Sequence, residues 1–447
     1  MPISLTCLSC GKKLKAKDSL AGKMVPCPHC GEKVRIPDLD EDAGAYALAP
    51  EAAPEPPPSR PCEEKTVDTP RPVRPEPKHS LPPLTTNEPP VWQRHLHWLL
   101  VLALVPLALS LLQKDSDEDF RIRLIETLQQ APPGTEERVE RVLANLESGH
   151  GSVDDLFDAL PDRKLAGAFL PRGTPAHWGF ALGAAILFTA FFLLLSGEHT
   201  AEPLHLLGIT LFTATIGIIL LLLFQTLAGW SQGIWLRGGG IVALLFWIVK
   251  LIGFSYQAAL DPANGFFMSF FGYTLGVGFC EEVCKALPLL VYFRRSSGLS
   301  WRGAFLWGLA SGAGFGIAEG IMYSGSYYNG VSGPGIYVVR FVSCVALHAL
   351  WTGSVGITLQ QNQGMIQEVD AWYEFFPPVF LIVGIPMVLH GLYDTLLKRE
   401  MNGAALGVAV LSFLYLAFQI SRLHGTDDAA ANEALLKEYQ RRRSTMT

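Results

Sequence analysis

The chain has 447 residues, of which 49% are hydrophobic and 17% charged, and a formal net charge of −6 at pH 7. So apolar a composition excludes an ordinary soluble protein, and so mild a charge selects no partner by itself. The apolar residues are unevenly spread: 1–91 is polar, Pro-rich and charged, whereas most of 177–422 is apolar. The chain therefore reads as an all-α polytopic membrane protein with about 8–9 transmembrane helices, preceded by a small N-terminal module.

Residues 1–37 carry Cys7-Leu-Ser-Cys10 and Cys27-Pro-His-Cys30, each pair followed by Gly, with sixteen residues between the pairs. Glycine permits the tight turn that aims backbone amides at thiolate sulfur. Two such knuckles can close a tetrahedral Zn(Cys)4 site, so Cys7, Cys10, Cys27 and Cys30 are expected to hold a structural zinc in a ribbon. His29, inside the second knuckle, is read as a spacer because four thiolates complete the shell. Lys12, Lys13, Lys15, Lys17 and Lys23 make the module basic. A thiolate-bound zinc carries negative charge, however, and no aromatic stacking platform is present, which argues against nucleic acid and for docking or sensing. Reduced thiols make the cytoplasm the expected side for the ribbon.

Residues 38–91, with runs such as EAAPEPPPSRP, cannot bury enough apolar surface to fold and read as an extended linker. No short positive stretch with an apolar core opens the chain, so insertion is expected from internal signals. The first apolar segment lies within 92–113. Residues 114–176 read as a soluble helical insert, with helix starts favoured by Asp117, Glu118 and Asp119 and by Ser152 with Asp154 and Asp155. The main membrane domain, 177–422, holds apolar runs near 177–196, 203–227, 239–260, 266–293, 302–325, 336–360, 377–398 and 402–422. A polar tail, 423–447, reads as a short exposed helix.

Seven ionisable residues inside these apolar runs are the candidate site: Glu281, Glu282, Lys285, Glu319, His348, His390 and Asp394. A carboxylate near the bilayer centre costs roughly 2.5–3.5 kcal/mol on insertion scales. Such groups on four segments are tolerable only if they meet one another or line a wet cavity, which makes them a functional site. Counting from one side at about 1.5 Å per residue, most fall ~18–25 Å deep, in one slab. Lys285 lies four residues after Glu281 and three after Glu282, so it shares a helix face with each and can neutralise part of the pair. His390 and Asp394 are also i,i+4, so the carboxylate can hold the ring in one tautomer. His348, His390 and Glu319 form a candidate His2Glu set for a catalytic metal, zinc being the expected ion. Gly308, Gly312, Gly316 and Gly320 repeat every fourth residue and read as a packing stripe beside Glu319. Cys280, Cys284 and Cys344 read as small packing residues.

The pattern Glu281-Glu282-Val-Cys-Lys285, Phe315-Gly-Ile-Ala-Glu319, His348 and His390-Gly-Leu-Tyr-Asp394 resembles the PrsW family of intramembrane proteases, relatives of the CAAX-processing membrane proteases. The resemblance covers about 266–398. It implies a multi-pass integral protein of the cell membrane that hydrolyses peptide bonds of membrane-protein or peptide substrates, usually with a metal. In that reading Glu281 or Glu282 takes a proton from water while His348, His390 and Glu319 stabilise the oxyanion, through a metal or as direct donors. The rival readings are a proton-coupled transporter or channel and a non-catalytic membrane sensor. Repeated halves with broken helices would favour transport, and no such repeat is visible.

Overall fold

The computed structural model describes residues 3–6, 12–16, 23–28, 33–35, 91–112, 120–196, 202–235 and 240–446. The chain divides into two compact units, Met1–Pro83 and Leu84–Thr447. In the first, Ile3–Thr6 pairs antiparallel with Lys13–Ala16, and Met24–Pro26 pairs antiparallel with Lys33–Arg35. Leu14, Cys27 and Val34 pack together there. Cys7, Cys10, His29 and Cys30, and the linker expected over 38–91 apart from Val91, lie outside the described residues.

The second unit is helical. Among the described residues seven helices are long and apolar enough to cross a membrane: His177–Ser196, Pro203–Ser231, Ile241–Leu260, Trp301–Tyr328, Pro334–Gln361, Tyr373–Lys398 and Asn402–Gly425. Two of the nine expected spans differ. The first segment is a helix, Val91–Leu112, whose apolar part is only His95–Ser110. The other is the helical stretch 266–295, built from Phe266–Gly272, the π-helical Tyr273–Gly278 and Phe279–Arg295; Glu281, Glu282, Lys285, Arg294 and Arg295 dilute its hydropathy. The C-terminal tail is likewise no separate element, because the last helix runs unbroken through Asn402–Met446.

Burial ranks the helices. In Ile241–Leu260 only 22% of the most apolar window is buried, against 78% in Trp301–Tyr328 and 89% in Pro334–Gln361. Leu182, Ile186, Leu204 and Val242 are each more than three-fifths exposed, as side chains facing lipid must be. The helices that carry Glu319 and His348 are therefore the most interior of the seven. Their close approach depends on glycine: a Cβ at Gly308, Gly312 or Gly316 would collide with the backbone or side chains of Thr352, His348 or Val345 on the facing helix. With little hydrophobic drive between helices in lipid, such backbone contact supplies packing. Ser311 adds a hydrogen bond from its hydroxyl to the Lys285 carbonyl, tying a third helix into the bundle.

Starts and breaks follow local chemistry. Ser300 caps Trp301–Tyr323 by accepting from Gly303 N, and Pro203 and Pro334 sit at first-turn positions where no amide partner is lost. π-helical turns at Tyr273–Gly278, Ser324–Tyr328 and Val339–Cys344 lie within five residues of Glu281, Glu319 and His348. Each widens the helical turn, and those at Tyr273–Gly278 and Val339–Cys344 re-aim the helix that continues from them.

The insert forms three short helices, Phe120–Gln129, Thr135–Glu147 and Val153–Ala159, around Leu124, Val139, Leu156, Phe157, Leu160 and Leu165. Its trailing segment is laced to the connector after Tyr328. Leu165 N donates to Gly330 O, Gly330 N to Leu170 O, and Phe169 N to Ser332 O. Gly330 adopts φ +83° and lies against the Phe157 ring, where a side chain would clash.

Candidate active site

Glu281, Glu282 and Lys285 sit on 266–295, Glu319 on Trp301–Tyr328, His348 on Pro334–Gln361, and His390 with Asp394 on Tyr373–Lys398. The fold brings all seven into one cluster. Six of them are buried, and Asp394 keeps a quarter of its side chain exposed.

Lys285 is the hub. Its Nζ donates to Glu282 Oε1 at 2.8 Å and to His348 Nδ1 at 2.7 Å. It also lies 3.2 Å from Glu281 Oε2, close enough for ion pairing, although that oxygen has no aligned hydrogen bond. Phe315 covers the ammonium, its ring centre 4.6 Å from Nζ. An ammonium can only donate, so Nδ1 of His348 accepts and the ring proton sits on Nε2. That nitrogen donates to Glu319 Oε2 at 2.8 Å. Glu319 is held in turn by Arg340, whose Nη2 lies 3.0 Å from Oε1.

His390 is oriented by the other glutamate. Its Nδ1 donates to Glu282 Oε1 at 3.1 Å, leaving Nε2 3.7 Å from Glu281 Oε2 and 3.4 Å from Asp394 Oδ2. Trp351 stacks on the His390 ring at 4.4 Å, and its indole N–H donates to Ser412 Oγ at 2.9 Å. Each imidazole thus has one nitrogen tethered to a carboxylate, the arrangement that fixes a tautomer and aims the second nitrogen.

The grouping of possible ligand atoms is not the expected Glu319, His348 and His390. Among the described residues, ligand atoms of Glu281, His348 and His390 lie within 4.8 Å of one another. Glu319, expected to complete the set with the two histidines, instead backs His348 from its far nitrogen and pairs with Arg340. Two imidazoles and a carboxylate suit a divalent ion such as zinc. Four carboxylates (Glu281, Glu282, Glu319, Asp394) and two cations (Lys285, Arg340) share the cluster, so it is rich in acidic groups.

A cavity of about 1260 Å³ opens beside the cluster. Glu281, Glu319, Arg340 and Asp394 line it, along with Tyr256, Tyr273 and Tyr323 and the helix-end residues Asp261, Ser326 and Lys398. Glu282 does not line it and has no exposed surface. The two adjacent glutamates therefore differ: Glu281 meets the cavity, and Glu282 is enclosed. Cys280 and Cys284 pack against Ile218, Leu221 and Phe315, and Cys344 lies in the central apolar core.

Two residues here escape the sequence reading. Arg340 is an intramembrane cation in YVVRFVSC, visible by the criterion that found the other seven. Trp351, three residues after His348, carries no comparable signal, since an aromatic in an apolar helix is ordinary core.

Such a cluster, with a cavity reaching a buried carboxylate, lies inside the apolar helices of an integral membrane protein. Residues 201–420 match the family model described as PrsW family intramembrane metalloprotease. Residues 201–420 thus form a domain of that family of membrane-embedded proteases. No curated protein and no solved structure matches the chain.

Proposed function

We propose that the protein cleaves membrane-associated polypeptides with a water molecule activated at Glu281, and that Glu281, His348 and His390 hold a zinc ion. The observation that carries this reading is that, among the described residues, Glu281 alone reaches both the cavity and the two imidazoles. A divalent ion held there would polarise the scissile carbonyl and acidify a bound water. A peptide segment enters the cavity from its helix-end rim. Glu281 has two oxygens, so one can act as ligand while the other takes the proton of the attacking water. The same carboxylate then returns that proton to the leaving amine. Glu282 and Glu319 hold the rings of His390 and His348 in register. Asp394, 3.4 Å from His390 Nε2, adds negative charge beside that nitrogen.

For the N-terminal unit we propose the structural zinc of Cys7, Cys10, Cys27 and Cys30, with the ribbon in the cytoplasm. Support comes from the paired strands, since each CxxC falls in sequence between the two strands of one hairpin.

The reading is tested with purified protein and single-span peptides co-reconstituted in liposomes. Cleavage should stop with a membrane-permeant chelator and return with added zinc. Cleavage indifferent to chelator would remove the metal from the account. Proton flux without cleavage would replace the enzyme with a transporter.

A further inference from the structure

The Lys285 ammonium stands among the atoms proposed to hold the metal. It donates to His348 Nδ1 at 2.7 Å and lies 3.2 Å from Glu281 Oε2, so it contacts two of the three residues of the donor set. A divalent ion bound by His348 through Nδ1 needs the lone pair that this ammonium now uses. His348 Nε2 offers no substitute, because its proton is committed to Glu319. Like charges also repel strongly in a buried site. Lysine and metal therefore exclude one another at His348.

The adjacent glutamate supplies the other half of the arrangement. Lys285 donates to Glu282 Oε1 at 2.8 Å, and Glu282 Oε2 has no hydrogen-bond partner among the described residues. Glu282 is fully buried, at i,i+3 from the lysine on the same helix. Lys285 can thus let go of His348 and Glu281 by a side-chain rotation and keep its charge paired on the carboxylate that the cavity does not reach.

We propose that Lys285 is the resident counter-cation of the metal site, displaced from His348 and Glu281 when a divalent ion binds and retained by Glu282. This rests on the donor set given under Proposed function. It assigns the two neighbouring glutamates separate partners, Glu281 the metal and Glu282 the lysine.

The test is Co²⁺ binding to the purified full-length protein, followed by its visible absorption without sulfur charge transfer, which separates a nitrogen–oxygen site from a thiolate ribbon. Lys285→Met and Lys285→Gln should bind Co²⁺ at least ~10-fold more tightly than wild type, a factor that corresponds to about 1.4 kcal/mol. Lys285→Arg, which keeps the charge, should gain nothing, and Glu281→Gln should lose the site. Unchanged or weaker binding in Lys285→Met and Lys285→Gln, with Glu281→Gln still deficient, overturns the counter-cation and leaves the donor set standing. Undiminished binding in Glu281→Gln overturns the donor set itself. A readout free of variants is the ¹⁵N signal of the buried lysine ammonium in wild type. It should shift when Zn²⁺ is added, and an unmoved signal at saturating zinc contradicts displacement.

Discussion

The indole of Trp351 lies against the imidazole of His390, ring centres 4.4 Å apart and planes 19° from parallel. The indole N–H is anchored on Ser412 Oγ, so the last membrane helix fixes the plane in which His390 presents its Nε2. Trp351→Ala frees the ring to rotate and should lower kcat by about 10–100-fold, as loss of an orienting partner does. Trp351→Phe keeps the stack and should cost far less, whereas equal losses in both would mean that the ring contact does not position His390. Steady-state cleavage of a reconstituted peptide reads the difference.

Arg340 and Glu319 form a buried pair behind His348, their side chains 15% and 9% exposed. Removing one member of a buried ion pair typically costs about 3–5 kcal/mol because the other charge is stranded. Arg340→Met should therefore melt at a lower temperature in detergent than wild type. The double variant Arg340→Met/Glu319→Gln should recover part of that loss while remaining catalytically impaired, since His348 loses its carboxylate. A double variant no more stable than Arg340→Met contradicts the pairing.

Gly312 lies where the glycine stripe meets His348, and a methyl group there would strike the His348 carbonyl. Gly312→Ala should push the two helices apart and abolish cleavage. Gly403→Ala, at a site with open space around it, should be silent. Normal activity in Gly312→Ala would show that close backbone contact is not required.

The insert carries a pH-dependent cap. Ser152 N donates to Asp155 Oδ2 at 2.7 Å, and Asp155 N donates to Ser152 Oγ at 3.2 Å. The bonds from Ser152 lower the Asp155 pKa, so their stabilisation is present above the unfolded carboxylate value and is lost as pH falls through the folded one. Amide exchange over Val153–Ala159, corrected for intrinsic rates, should accelerate below about pH 4, near the ordinary aspartate value of ~3.9. Asp155→Ala should show the faster exchange already at pH 7. Equal protection in wild type and variant would contradict the cap.

Much of this was legible in the sequence because polar groups in an apolar helix must find partners. Glu281, Glu282, Lys285, Glu319, His348, His390 and Asp394 all stand out on that ground, and the glycine stripe shows which helix faces can touch. The proposed ligand set was less accessible. Whether Glu281 or Glu319 faces the shared side of His348 and His390 depends on which ring nitrogen points where, and no spacing records that. The π-helical turns before Glu281 and His348 re-aim both helices, and a uniform rise per residue cannot anticipate them. Trp351 shows a further limit: its stack on His390 arises between two helices whose crossing is set by packing. The run 266–295 follows the opposite logic, since the charges that reveal the site also lower the hydropathy by which a span is recognised.

The most direct measurement compares Glu281→Gln with Glu282→Gln in liposomes holding a single-span peptide, with products resolved by mass spectrometry. Glu281 meets the cavity, and its loss should slow cleavage by about 10²–10⁴-fold in a protein that still folds, the usual cost of losing a general base. Glu282 meets His390 and Lys285, and its loss should cost about 10–100-fold, as expected for a group that only orients others. Wild-type cleavage by Glu281→Gln, or the reverse order of severity, would contradict the assignment of Glu281 as the carboxylate that activates water.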